Sequence, residues 1–191
     1  LGARRGAPEI AELLFVGRCG DPNKGFEVLL DALARLPDRV QLRVLDSYPF
    51  ETRLGRRIRE LEIGHRIRFD GKVSRSRLEA AYRRAAVVVV PSLFEGFGLP
   101  AIEGLAAGTP VVAARAGALP EVLEVAGAGR LVSTRDPRAL TQGISEVLAS
   151  WGAEEERTRK ARRRIEEAFS WERVAERTET AYRAILSAAG R

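Results

Sequence analysis

A chain of 191 residues with 45% hydrophobic and 30% charged residues is typical of a globular protein that can bury a sizeable core without disulfides or metal ions. Cys19 is the single cysteine, which excludes an internal disulfide and a cysteine-based metal site. No stretch reaches the roughly 18 apolar residues that span a bilayer. The net charge of +6 suits phosphate-bearing partners, namely nucleotides, nucleic acid or anionic lipid.

The basic residues are strongly biased towards arginine, since only three of the 32 Lys and Arg residues are Lys. A genome biased towards Arg codons, together with an Arg-rich solvated surface, explains the basic composition as well as a phosphate-bearing partner does. No basic stretch is interleaved with aromatic residues, which argues against nucleic acid as a partner. The N-terminal residues 1–10 lack the apolar core of a signal peptide, and the sequence contains no Met. We therefore expect that this chain is a piece of a longer protein. We also expect that this protein is cytoplasmic.

Short β-branched runs alternate with helical patterns along the chain. The predicted strands are 12–17, 42–45, 66–71, 87–92, 109–114 and 129–132. The predicted helices are 24–36, 51–62, 74–85, 98–108, 119–126, 136–149, 154–169 and 172–188. This alternation predicts a single α/β domain over residues 1–191: a doubly wound, Rossmann-like parallel sheet of about six strands with helices on both faces. The continuous run VVVV should be an internal strand.

Parallel sheets of this type bind ligands outside the carboxyl ends of their strands. The segment PSLFEGFGLPAIEG follows the fourth strand and places two carboxylates, Glu95 and Glu103, on either side of a glycine turn. Gly96 and Gly98 permit a close approach of the backbone, and Pro100 favours a helix start, where free N–H groups attract anions. The two carboxylates fit three interpretations: complements of the helix dipole, an acid/base pair, or ligand holders.

Two further segments should lie at the same edge of the sheet. Arg18 follows the first strand and Lys24 stands at the start of the first predicted helix, a pairing that suits a pyrophosphate but also fits two solvated cations. The segment 117–120 forms another glycine-containing turn after the fifth strand.

At these three segments the sequence resembles the C-terminal, donor-binding half of a retaining glycosyltransferase of family 4, which has the GT-B fold. The match runs from LLFVGR to FSWERVAERTETAY. The family has two glutamates separated by seven residues, which EGFGLPAIE fits. It also has a phosphate loop, which GRCGDPNKG fits, and a turn, which PSLFEGFGLP fits. Three motifs in order within one strand–helix frame are much more specific than any one alone.

The resemblance implies a role for each of these residues. Arg18 and Lys24 would grip the donor diphosphate, and Glu95 would bond the sugar hydroxyls, so these three are the predicted catalytic residues. Glu103 would accept hydrogen bonds from the ribose hydroxyls.

Further donor contacts are implied through main chain. The glycine turn of Gly96, Phe97, Gly98 and Leu99 would contact the sugar and phosphate. Ile67 and Arg68 would pack on and read the nucleobase.

The resemblance also implies that the two cations replace a metal, so that neither a metal nor a cofactor is needed. The acceptor site would lie on an N-terminal domain that this chain lacks, and the chain alone would transfer little or nothing. One departure is the segment at Asp46 and Ser47, where the family usually has a glycine-rich loop. Another is Gly117–Ala118 in place of the usual double glycine.

Two isolated residues favour structural roles. His65 is the only histidine in the sequence, so it cannot form a metal-binding pair with a second histidine, and no Ser–His–Asp triad can be argued. Cys19 suits packing better than nucleophilic chemistry.

Two other functions stay open. One is a nucleotide-sugar epimerase or phosphorylase half on the same fold. The other is a non-enzymatic module for nucleotides or anionic surfaces, with peripheral membrane contact among its consequences. The donor base, sugar, acceptor and oligomeric state also stay open. The last helix carries an apolar stripe of Val174, Ala181, Tyr182, Ile185 and Leu186. The resemblance implies that part of this stripe lacks its native cover, because in the family the chain's end crosses back to the N-terminal half.

Overall fold

A single parallel sheet organises the chain. The structure, a computed structural model, describes residues 8–47 and 52–189. Its strands are β1 (Ala11–Val16), β2 (Val40–Leu45), β3 (Ile67–Phe69), β4 (Val87–Val90), β5 (Val111–Ala114) and β6 (Arg130–Val132). They are all parallel, in the order β3-β2-β1-β4-β5-β6. The predicted doubly wound sheet is therefore confirmed, and the VVVV run is internal, between β1 and β5.

Helices connect and follow the strands at the predicted places. They are α1 (Phe26–Leu33), α2 (Arg53–Glu60), α3 (Arg75–Arg84), α4 (Leu99–Ala106), α5 (Leu119–Ala126), α6 (Pro137–Ala149), α7 (Trp151–Phe169) and α8 (Trp171–Ala189). Ser74 is the N-cap of α3, and its side chain accepts the N–H of Arg77.

The first helix begins later than predicted. Lys24 lies in a short 3-10 turn, Pro22–Lys24, and not in α1. Gly25 then takes a left-handed conformation, with φ of 63°, and α1 begins at Phe26. The Asp21 side chain accepts the N–H of Asn23 and stabilises this turn, which sets Lys24 apart from the helix axis.

Two hydrophobic clusters cover the two faces of the sheet. One cluster combines α1, α2 and α6 with the first face and includes Phe26, Leu33 and Ile144. The other combines α3, α4, α5 and α7 with the opposite face and includes Leu105 and Leu119. Each such side chain contributes about 1.5–3 kcal/mol when fully buried, so both faces hold the strand ends in place.

The last helix differs from the others in its exposure. Every side chain that the structure describes on α8, residues 171–188, is exposed, and Trp171 is 84% exposed. Its apolar residues Trp171, Val174, Tyr182 and Leu186 border a shallow groove of about 600 Å³, and Ile185 is exposed as well. Among the described residues no helix is long and apolar enough to cross a membrane.

Candidate functional site

The site centres on an ion pair between two loops. β1 and β4 are neighbours in the sheet, and the chain leaves them towards opposite sides, which opens a crevice at their carboxyl ends. From these loops Lys24 Nζ and Glu95 Oε2 meet at 2.9 Å, and the hydroxyl of Ser92 donates to the same oxygen at 2.9 Å. The Glu95 side chain is only 8% exposed, so these two bonds compensate the burial of its charge. The structure thus brings two predicted site residues together.

Close backbone contacts dock the loop after β1 on the loop after β4. The carbonyl of Asn23 accepts the N–H of Leu93 at 2.7 Å. A Cβ at Gly25 would overlap the carbonyl of Pro91, so this position requires glycine for space as well as for its φ. The position of Lys24 is therefore fixed relative to Glu95.

The turn after β5 fixes Glu95 through its main chain. The N–H of Ala118 donates to the Glu95 carbonyl at 2.9 Å. A Cβ at Gly117 would overlap that same carbonyl, and its φ is 50°. The second expected glycine of this turn, replaced by Ala118, is thus not needed for the close approach.

The glycine turn after β4 leads directly into α4. Gly98 is the N-cap of α4 in a left-handed conformation, with φ of 84°. Leu99 is therefore the first helical residue, and Pro100, predicted there, is the second. The side chains of Phe97 and Leu99 are half exposed, and Phe97 meets the ring of Phe169 edge-on at 5.9 Å between centroids.

The remaining residue of the turn, Gly96, is exposed. A Cβ there would meet nothing within 4 Å. At the start of α4 the N–H of Ala101 donates to the Gly98 carbonyl at 2.9 Å and Pro100 has no N–H, so it is mainly the positive end of the helix dipole that favours an anion here.

Arg18 extends from the loop after β1 into solvent. Its side chain is 86% exposed, and its ion pair with Asp21 is long, at 3.7 Å. The backbone beside it is held by Asp46, whose Oδ2 accepts the N–H of Cys19 at 2.7 Å. The atypical segment at Asp46 therefore fastens the first loop.

Cys19 is a buried residue of the core, as predicted. Burial and the nearby Asp46 carboxylate raise the pKa of its thiol well above the usual range. A neutral thiol is a poor nucleophile, which agrees with a packing role.

Glu103 lies one turn into α4, where it contacts α3. The hydroxyl of Tyr82 donates to Glu103 Oε2 at 2.6 Å. Tyr82 is 3% exposed, and burial, followed by Glu103, raises the pKa of its phenol well above the usual range. Glu103 thus has a neutral donor on one of its carboxylate oxygens.

Ile67 and Arg68 lie on β3, the outermost strand on the β1 side of the sheet. Ile67 packs against the core, and Arg68 Nε donates to Asp70 at 2.6 Å. His65 is exposed in the 3-10 turn before β3. The contact of Ile67 and Arg68 with a nucleobase stays a prediction.

Sequence reasoning missed three side chains that shape this site: Ser92, Tyr82 and Asp46. Each lies within a segment recognised as a strand end, a helix or an atypical loop. Their partners lie 3, 21 and 27 residues away in the chain. A lone Ser, Tyr or Asp in such a segment carries no signal of its partner. Among the described residues, no group of three or more His, Cys, Asp or Glu could hold a metal ion.

The fold and this site define a class: a doubly wound domain with a charged, glycine-lined ligand site at the crossover between β1 and β4. The chain belongs to the glycosyl transferases group 1, whose family model matches residues 7–167. It has the GT-B-type Rossmann-like fold of their C-terminal domains, as predicted.

Two curated relatives illustrate the similarity. An uncharacterized glycosyltransferase of Methanocaldococcus jannaschii is 33% identical over 181 residues, covering 94% of this chain and 46% of the relative. The MMP alpha-(1->4)-mannosyltransferase of Mycolicibacterium hassiacum is 39% identical over 164 residues, covering 84% of this chain and 40% of the relative. The chain therefore spans about half the length of the curated relatives it matches.

A solved structure gives the same result. Sucrose-phosphate synthase from Thermosynechococcus elongatus superposes with a TM-score of 0.84 at 34% identity, covering 94% of this chain and 46% of that one.

Proposed function

We propose that this chain binds a nucleotide-diphosphate sugar and forms the donor half of a retaining glycosyltransferase of family 4 in a longer, cytoplasmic protein. The observation that carries the proposal is the Lys24–Glu95 pair beside the N-terminus of α4. It puts a cation, a buried carboxylate and the positive end of a helix dipole in one crevice. This combination suits a diphosphate and a polyhydroxylated sugar.

Each group has a distinct task. An ammonium carries three N–H donors, and the bond to Glu95 uses one, so Lys24 can bridge a phosphate and the carboxylate. Ser92 and Lys24 both contact Oε2 of Glu95, and Oε1 is the oxygen that would accept a sugar hydroxyl. Exposed Arg18 would close over the diphosphate from the solvent side. The backbone from Gly96 to Leu99 would line the sugar.

The proposed reaction breaks the bond between the sugar C1 and the diphosphate, which leaves with the electron pair. The oxygen of an acceptor hydroxyl then bonds to C1 on the same face, and the proton of that hydroxyl passes to the departing diphosphate oxygen. Arg18, Lys24 and the helix N-terminus would stabilise the charge of the leaving group, without a metal. Neither Glu95 nor Glu103 acts as acid or base in this scheme. The acceptor would be held by an N-terminal domain, so this chain alone should show little or no transfer.

Arg18 gives the cleanest test, because its only ion pair in the described residues is weak and exposed. Arg18→Ala should weaken binding of a nucleoside diphosphate by about 1.5–3 kcal/mol, the range for hydrogen bonds to charged groups, and Arg18→Lys should recover only part. Calorimetric titration of UDP, GDP and ADP, with and without EDTA, measures this. Arg75→Ala is the matched control, since Arg75 is a 92% exposed arginine on α3.

The nucleoside without phosphates supplies the contrast. Its affinity should be nearly the same in wild type and Arg18→Ala. Equal losses for nucleoside and diphosphate, or binding that vanishes in EDTA, would refute the assignment of the diphosphate to Arg18 and Lys24. A module that merely binds anionic surfaces would instead lose affinity steeply with salt and be indifferent to Glu95 and Glu103.

A further inference from the structure

Tyr82 is a buried polar side chain whose hydroxyl contacts the predicted site residue Glu103. It stands in the last turn of α3, and its hydroxyl donates to Glu103 Oε2 at 2.6 Å. Because its pKa is raised, the phenol stays neutral and remains a donor throughout the physiological range. A buried tyrosine hydroxyl normally finds a partner, and here the partner is a carboxylate to which the resemblance to the glycosyltransferases assigns ligand binding.

The Tyr82 side chain is itself held firmly. Its ring belongs to the hydrophobic cluster of α3, α4, α5 and α7. The hydroxyl of Thr109, in the loop after α4, donates to the Tyr82 carbonyl at 2.6 Å. Both the backbone and the ring are therefore fixed, and the hydroxyl offers Glu103 a donor at a defined point.

We propose that Tyr82 is a positioning residue that orients the Glu103 carboxylate for the ribose diol of the donor nucleotide. This inference rests on the proposed function. The terminal torsion of a glutamate is broad, so a free carboxylate would rotate and present either oxygen. The bond to Tyr82 fixes Oε2 and leaves Oε1 to accept a ribose hydroxyl. Tyr82 thereby contributes to the preference for ribonucleotides without touching them.

The experiment compares a ribonucleotide with its analogue that lacks both ribose hydroxyls. The tightest of UDP, GDP and ADP, and its 2′,3′-dideoxy form, are titrated into wild type, Tyr82→Phe and the control Tyr182→Phe, whose ring is exposed on α8. Wild type should prefer the ribonucleotide by about tenfold or more, the effect of a hydrogen bond to a charged group. Tyr82→Phe should reduce that preference by about fivefold and leave the affinity for the dideoxy form unchanged. Tyr182→Phe should keep the wild-type preference for the ribonucleotide.

A purely structural Tyr82 would weaken both ligands equally, so an unchanged or increased preference in Tyr82→Phe overturns the inference. A wild type that binds diphosphates without preferring ribose overturns it too, but leaves the proposed function intact. A wild type that binds none of the three diphosphates refutes the proposed function itself.

Glu103→Gln provides a second variant that does not alter the buried ring. Glutamine keeps the shape of the side chain but removes its charge. Its amide can meet the Tyr82 hydroxyl through its oxygen or through its NH₂ group, because a phenol both donates and accepts hydrogen bonds. Without the charge, the preference for ribose should fall by about the same factor as in Tyr82→Phe. A preference kept at the wild-type level would show that the Glu103 carboxylate does not bind the ribose, which overturns the inference.

Discussion

At the scale of single residues, the site depends on glycines as much as on charges. Glu95 is fixed twice, through its carboxylate by Lys24 and Ser92 and through its carbonyl by Ala118. Its place in the sequence left three interpretations open, and the ligand-holding role was predicted from the resemblance to the glycosyltransferases. Its partners could not be predicted, because they depend on how loops from different strands meet.

Gly117→Ala should destabilise the protein and displace Glu95. The added Cβ would overlap the Glu95 carbonyl, and φ of 50° is itself unfavourable for alanine. We expect a loss of about 1–3 kcal/mol in the free energy of unfolding beyond the strain of the backbone, the range for overpacking. Urea unfolding followed by circular dichroism measures it.

The control for this variant is Gly108→Ala. Its φ is 80°, but a Cβ there meets nothing within 4 Å. The difference between the two variants isolates the contact with Glu95. Equal losses in the two proteins would show that the contact is easily relieved.

At the scale of elements, the sequence predicted all six strands, because β-branched runs between helical patterns are a strong signal. The order of the strands was not predicted, since it depends on pairing between residues far apart in the chain. Helix boundaries were less accurate: α1 begins at Phe26 and α7 at Trp151, each a few residues from the prediction. Capping turns such as Pro22–Lys24 shift a boundary without changing the periodic pattern.

Trp151 fastens the start of α7 to the sheet. Its indole N–H donates to the Ala86 carbonyl at 2.9 Å, in a buried position at the start of β4. Trp151→Phe should lower the free energy of unfolding by about 1–3 kcal/mol, because a buried carbonyl loses its donor. Trp171→Phe, at the exposed start of α8, should change it by no more than about 0.5 kcal/mol. Comparable losses from both substitutions in urea unfolding would contradict the proposed role of Trp151.

Asp70, at the outer edge of the sheet, makes the free energy of unfolding depend on pH. Burial alone would raise the pKa of this carboxyl, but hydrogen bonds from Arg43 and Arg68 outweigh it and lower the pKa. A depressed pKa in the folded state contributes stability above the unfolded value of about 3.9, and this stability is lost as pH falls through the folded pKa.

Asp70→Asn should therefore be less stable than wild type at neutral pH, and the gap should close as the pH falls below about 4. Unfolding free energies measured from pH 7 to pH 2.5 test this. A gap that stays constant across the range would mean that Asp70 contributes by packing alone.

At the scale of the whole molecule, the chain corresponds to about half of its relatives, 46% of one and 40% of another. Its exposed α8 carries large apolar residues that a complete protein would be expected to cover. Tyr182, Ile185 and Leu186 are each more than half exposed. The sequence predicted this stripe correctly from its helical spacing, but helical spacing carries no signal of the surface that would cover the stripe.

The isolated chain should self-associate through this face of α8. Leu186→Glu places a charge within the apolar stripe and should shift the chain towards monomer, whereas Ser187→Glu adds the same charge outside the stripe and should not. Light scattering across a concentration series measures both. A wild type that stays strictly monomeric at high concentration would contradict the expectation.

The interlocking of the loops has a consequence for protein engineering. The carbonyls of Asn23 and Glu95 join three loops through main-chain bonds, and Gly25 and Gly117 leave no room between them. A single loop taken from a relative would not fit the backbone of its two neighbouring loops. We expect this exchange to lower the free energy of unfolding more than an exchange of all three loops together. The exposed side chains of Phe94 and Leu99 take no part in these contacts between the loops. Substitutions of these side chains should therefore leave the framework of the three loops intact.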